Sequence, residues 1–214
     1  MPLPVIPASI DYARATRLLA RRDPVLRELM RAQGPCGLAA RQHLDPFKAL
    51  TRAIVGQQLS AKAAATIFSR FEALFDAFPT PAQVLAVPDE RLRGVGLSGQ
   101  KLGYLRDLCR RIIEGELPLD VLERLDDDAV IETLTKVKGV GRWTAEMFLI
   151  FRLQRPDVLP VGDLGIVKAV QRAYKLRKAP SPDRLTRIGE AWRPYRSVAC
   201  WYLWASLNND PTKD

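Results

Sequence analysis

Apolar residues recur along this chain at spacings of three and four, and runs of strict alternation are missing, so the pattern predicts helices almost throughout. Tyr12–Arg22 and Pro24–Gln33 read as two short helices divided at Asp23-Pro24, where the aspartate can cap and the proline can open the second. Gly34-Pro35-Cys36-Gly37 is a turn. Asp45-Pro46 starts a helix with Phe47, Leu50 and Ile54 on one face, and Gly56-Gln57-Gln58-Leu59-Ser60 interrupts it. Ser60 then suits the cap of an alanine-rich helix from Ala61 to about Phe75. Thr80-Pro81 and Pro88-Asp89 open two short helices. Gly94-Val95-Gly96 turns, and Ser98 can cap a helix to about Glu114. Asp127–Lys136 and Arg142–Leu153 follow, Gly162-Asp163 precedes a helix to about Tyr174, and Pro182 and Pro194 open the last two. No segment joins β-branched alternation to an Asn-Gly turn. The predicted fold class is all-α, with about ten short helices.

Composition changes this picture in one respect. The chain has 214 residues, 47% hydrophobic and 27% charged, which is ordinary for a globular protein, but its net charge is +9. An excess of Lys and Arg favours a polyanion as partner. Cys36, Cys109 and Cys200 are far apart and odd in number, which argues against a disulfide framework or a metal cluster and for buried thiols. The single histidine, His43, cannot build a metal site alone and is expected at the surface or in packing. No apolar run is long enough to span a membrane. The start, Met1 to Pro7, lacks the basic and apolar regions of a secretory signal. A cytoplasmic monomer is expected, with no metal ligands and no required cofactor.

The strongest local pattern is Leu134-Thr-Lys-Val-Lys-Gly-Val-Gly-Arg-Trp-Thr-Ala145. Gly139 and Gly141 permit a very tight turn between two helices. A phosphate can then approach the backbone around Val140, where the N–H groups opening the second helix and its dipole favour an anion. Lys138 and Arg142 add charge, and Thr144-Ala145 allow close packing after the turn. Such a contact reads no base sequence. A plain helical hairpin with a glycine cap would show the same Gly-Val-Gly. Leu92–Leu97 weakly echoes it, with Gly94-Val95-Gly96 also between two helices.

The hairpin, with Asp163 twenty residues after Trp143, resembles the helix–hairpin–helix DNA glycosylases that use a catalytic aspartate, above all the 3-methyladenine DNA glycosylase II branch. Three further segments carry the resemblance: Asp45-Pro-Phe with Ile54-Val-Gly-Gln-Gln-Leu-Ser60, Gly96-Leu-Ser with Lys101, and Trp192-Arg-Pro-Tyr-Arg-Ser197 with Trp204. Together they cover about Asp45 to Trp204. The N-terminal β-sheet domain of the longest members and the four-cysteine cluster of some relatives are absent. The resemblance implies one compact unit over 1–214, made of two packed helical subdomains with the active-site cleft between them. A central subdomain would span about 50–165 with the hairpin at 134–145, and 1–49 plus 166–214 would form the second.

The resemblance also implies roles. Asp163 would be the carboxylate that stabilises positive charge on the sugar or orients the attacking water; locally it also reads as a helix N-cap. Trp143 stands where strand-cleaving relatives carry a Schiff-base lysine, which implies a glycosylase without lyase activity. Gln58 and Leu59 match the wedge that fills the gap left by a flipped base, and Ser60 lies beside them in reach of the minor groove; a polar interhelical turn with Leu59 in the core is the alternative. Trp143, Met147 and Trp204 match pocket positions, where aromatic faces suit a cationic alkylated base. Met147 and Gly165 stand where relatives have larger residues and imply a more open pocket, although Met147 equally suits core packing. A monovalent cation at the hairpin carbonyls is a further implication. The expected partner is double-stranded DNA with damaged bases, which implies association with the nucleoid. Two other readings stay open: a non-catalytic helix–hairpin–helix DNA-binding protein, and a glycosylase for another lesion such as a deaminated base.

Overall fold

The computed structural model describes residues 10–40 and 45–207; His43 and Met1–Pro7 lie outside them. Among the described residues there are twelve α-helices and no strand: α1 (Tyr12–Arg22), α2 (Pro24–Gln33), α3 (Pro46–Gly56), α4 (Ala61–Glu72), α5 (Pro81–Ala86), α6 (Asp89–Gly94), α7 (Gly99–Ile113), α8 (Asp127–Thr135), α9 (Arg142–Phe151), α10 (Leu164–Ala173), α11 (Pro182–Gly189) and α12 (Arg196–Ser206). Short 3-10 turns at Gly37–Ala40, Leu119–Arg124 and Glu190–Trp192 complete the elements of the described residues and have no counterpart in the periodicity. Helix starts follow local chemistry. Asp23, Ser60, Ser98 and Asp163 each accept a backbone N–H of the following turn, and Thr80 with Gln83 forms a reciprocal capping box. Pro194 does not open a helix: α12 begins two residues later, at Arg196.

The described residues fall into two compact units, 45–148 and 10–40 with 149–207. The division lies inside α9, between Phe148 and Leu149, rather than near 165. Residues 149–165 belong with α12 because Ser197 Oγ donates to the Arg155 carbonyl (2.6 Å) and accepts from the Val158 N–H (3.0 Å), while Arg196 Nε donates to Asp157 Oδ1 (2.8 Å). The Trp192–Ser197 segment is therefore scaffolding that fixes the start of α12.

In the first unit α3 packs on α4 and α7, and α5 and α6 pack on α7. Its core joins Leu50, Ile54, Leu105, Leu108 and Leu134 to a group of rings including Phe47, Phe68, Phe71 and Phe78. In the second unit α12 is buried from Ser197 to Ala205 and apolar on every side, as a central helix must be. Helices α1, α2 and α10 surround it. Asp23 ties this unit together. It caps α2 with Oδ1, and its Oδ2 accepts from the Tyr174 hydroxyl and from Trp192 Nε1 (2.9 Å). The three cysteines are buried free thiols, and burial pushes the Cys109 thiol up to about 12.

Candidate active site and DNA-binding hairpin

The hairpin is built from the inside out. Leu134, Val137 and Val140 are buried and anchor the turn between α8 and α9. Gly139 takes a φ of +79°, and a Cβ there would lie 2.1 Å from Tyr104 Cδ2. The turn thus lies flat on the Tyr104 ring, with no room for a side chain. Gly141 is the opposite case: exposed, with nothing within 4 Å of a Cβ built on it. One glycine makes the turn and the other keeps its outer surface clear. The turn leads directly into the N-terminus of α9, the end of a helix at which the dipole favours an anion. Lys138 and Arg142 are exposed beside it, and Arg142 Nε donates to Glu146 Oε1 at 2.9 Å. Thr144 and Val140 are buried on either side of Gly141. The Gly94-Val95-Gly96 turn is not a copy of the hairpin, because its left-handed residue is the second glycine, Gly96 (φ +108°).

A buried carboxylate holds the hairpin down. The Lys138 N–H donates to Asp107 Oδ2 at 2.9 Å, and Arg110 and Arg111 close on the same carboxylate at 2.9 Å each. Burial pushes the Asp107 carboxyl up, but the Lys138 N–H and the two guanidinium groups outweigh it and hold it below the usual carboxylate value. A depressed folded value means that its stabilisation is complete above the unfolded pKa, about 3.9, and is lost as pH falls through the folded value. Unfolding midpoints in urea should therefore drop below about pH 4, and the drop should be shallower in Asp107→Asn. Removing the carboxylate in Asp107→Ala should cost about 3 kcal/mol at pH 7, since it leaves buried donors without their partner.

The turn after α3 is fastened to the hairpin. Gln57 Nε2 donates to the Gly139 carbonyl at 2.8 Å, and Lys101 Nζ donates to the Val55 carbonyl at 2.8 Å, closing the end of α3. Burial lowers the pKa of the Lys101 ammonium. Just after these ties Gln58 is exposed in the left-handed region (φ +57°), a conformation that costs a non-glycine residue about 1 kcal/mol. Leu59 is 38% exposed, so it is not a core residue. Ser60 Oγ accepts from the Ala63 N–H and caps α4. Trp143, on the first turn of α9, is 52% exposed, and Met147 one turn later is half-buried.

Asp163 and Trp204 come together in the second unit. Asp163 caps α10, and its Oδ1 accepts from the Ile166 N–H (2.7 Å) and from Trp204 Nε1 (2.9 Å). The pairing follows from burial, because an indole N–H on a central helix needs an acceptor. Trp204 is buried and stacks obliquely on Phe151 with ring centres 5.7 Å apart. It therefore positions the carboxylate. Gly165 does not open a pocket: a Cβ there would stand 3.0 Å from Asp163 Oδ1 and 3.1 Å from Trp204 Cδ1. The space a side chain would take is filled by the indole. Gln57, Tyr104, Asp107 and Leu164, which is 73% exposed beside Asp163, drew no role from the sequence. Only Gln57 lay within a motif that had been singled out.

Residues 51–194 match the model of the HhH-GPD superfamily base excision DNA repair protein. The chain belongs to this superfamily. An HhH-GPD relative, DNA-3-methyladenine glycosylase 1 of Schizosaccharomyces pombe, is 39% identical over 163 residues, 75% of this chain and 72% of that protein. The solved structure of the Schizosaccharomyces pombe 3-methyladenine DNA glycosylase with abasic DNA superposes with a TM-score of 0.82 at 34% identity, covering 91% of this chain and 97% of that one. The DNA-3-methyladenine glycosidase of Bacillus halodurans gives a TM-score of 0.82 at 37% identity, over 96% of this chain and 94% of the other. No helix among the described residues of this HhH-GPD chain is long and apolar enough to cross a membrane.

Proposed function

We propose that this chain is a monofunctional glycosylase that flips alkylated bases, of the 3-methyladenine and 7-methylguanine type, out of duplex DNA and excises them to leave an abasic site. The observation that carries the reading is Asp163, held at the N-terminus of α10 by two N–H donors in a chain of this superfamily. Breaking the glycosidic C–N bond leaves positive charge on the sugar, which a fixed carboxylate stabilises while water adds at the same carbon. An alkylated purine is already cationic and leaves as a neutral base, so no general acid is required. The exposed face of Trp143 suits stacking by such a base. Its indole nitrogen cannot form a Schiff base, which supports hydrolysis without strand cleavage. Exposed Gln58 and Leu59, on a turn tied to the hairpin by Gln57 before them and capped into α4 by Ser60 after them, are the side chains we assign to the vacated stack.

A monovalent cation at the hairpin would rest on main-chain carbonyls. Those of Val137 and Gly139 each accept one hydrogen bond, from the Val140 N–H and from Gln57, and each keeps a second lone pair, which supports this reading.

The test is incubation with methylated duplex DNA. Free methylated base should appear, and the strand should stay whole until alkali cleaves the abasic site. Nicking without alkali would overturn the monofunctional reading. DNA binding with no base released would favour a non-catalytic binding protein, and release of uracil without methyladenine would favour another lesion.

A further inference from the structure

The net charge is not shared between the two units. Residues 45–148 hold fourteen Lys and Arg against fifteen Asp and Glu, a net −1. Residues 10–40 with 149–207 hold seventeen against seven, a net +10. The unit that carries the hairpin is therefore nearly neutral, and the excess positive charge sits with Asp163. It is densest just after that residue. From Leu164 to Pro182 there are five cations, Lys168, Arg172, Lys175, Arg177 and Lys178, and no carboxylate.

All five are exposed. At 100° per residue, Leu164, Lys168 and Arg172 lie within an arc of about 80° on α10 and span about 12 Å. The opposite face, with Ile166, Ala169 and Val170, is buried. Lys175, Arg177 and Lys178 continue past the helix end. A solvated helix face normally mixes signs and makes i,i+4 pairs. Here none of the five makes an ion pair among the described residues, whereas Arg193 and Arg196 of the same unit close on Asp157. Offsetting the dipole at the end of α10 accounts for Arg172 in its last turn, but for neither Lys168 nor the pair beyond the end. The strip starts with an exposed leucine next to the proposed catalytic carboxylate and continues as cations only. A sugar followed by its phosphates presents the matching order of apolar edge and negative charge.

We propose that the outer face of α10, from Leu164 through Lys168 and Arg172 to Lys175, Arg177 and Lys178, is a second contact for the DNA backbone. It grips undamaged and damaged duplex alike, since phosphates carry no lesion information. This rests on the reading of the chain as a DNA glycosylase. The hairpin supplies main-chain donors at one point, and the α10 strip supplies the diffuse positive field that draws the duplex in.

The two contacts differ in salt dependence. Each cation that neutralises a phosphate contributes about 0.9 to the slope of log K against log salt. In Lys168→Gln/Arg172→Gln/Lys175→Gln the slope for undamaged duplex, read by fluorescence anisotropy from 50 to 200 mM salt, should fall by about 2.7. Across that range wild type should lose about 40-fold more affinity than the variant loses. Gly141→Ala, which removes no charge, should weaken binding at every salt concentration and leave the slope alone. Lys168→Arg/Lys175→Arg should keep the wild-type slope. A triple variant with wild-type slope and an unchanged circular-dichroism spectrum would overturn the α10 contact, as would a lowered slope in the charge-conserving pair. Wild type that binds no duplex even at 50 mM would instead sink the proposed function, and the strip with it.

Discussion

Asp163→Asn should stop base release while leaving the fold intact. Asparagine caps helices about as well as aspartate, and its Oδ1 can still accept from the Ile166 N–H and Trp204 Nε1. What disappears is the charge. Removing a preorganised electrostatic stabiliser from an active site typically costs 10²–10³ in rate, about 3–4 kcal/mol. The single-turnover rate of methylated-base release should fall by at least about a hundredfold at saturating enzyme, with an unchanged thermal midpoint and retained affinity for duplex. Asp163→Ala should behave differently. It removes the cap, worth about 1 kcal/mol, and strands the buried Trp204 N–H, worth another 1–3 kcal/mol. That variant should lose both rate and stability. An Asn variant that keeps a tenth or more of the wild-type rate would remove Asp163 from the chemistry.

Helix starts were legible in the sequence because they are local. A Ser, Thr or Asp before a periodic run needs only an N–H three residues on, and Ser60, Ser98 and Asp163 each have one. The hairpin was legible for the same reason. What stayed hidden depends on residues far apart in the chain. Gly165 reads as missing bulk until Trp204, thirty-nine positions later, is seen to fill the space. Gln57 reads as a polar turn residue until its amide is found on Gly139. Asp107 looks like any acid in a charged helix, and only tertiary structure makes it the anchor of the Lys138 N–H. The division at 148/149 cannot be read from periodicity either, because it falls inside one continuous helix. Leu59 went the other way: a leucine in a polar turn suits a core or a surface, and its exposure decides between them.

The two hairpin glycines should separate stability from binding. Gly139→Ala puts a side chain into the left-handed region, at about 1–2 kcal/mol, and drives its Cβ to within 2.5 Å of three Tyr104 ring atoms, at about 1–3 kcal/mol more. A loss of about 3 kcal/mol corresponds to a fall of about 9 °C in the thermal midpoint of a chain this size. Tyr104→Ala in the Gly139→Ala background should recover part of that loss, because it relieves the overlap and not the backbone angle, and the two changes should be non-additive. Gly141→Ala meets no atom of the protein, so its midpoint should stay at the wild-type value. Its methyl group would nevertheless stand where a phosphate must come against the opening of α9, and duplex affinity should fall at least about tenfold, the equivalent of about 1.4 kcal/mol. If Gly141→Ala binds DNA as wild type does, no phosphate sits at this turn, and the hairpin is a structural element only.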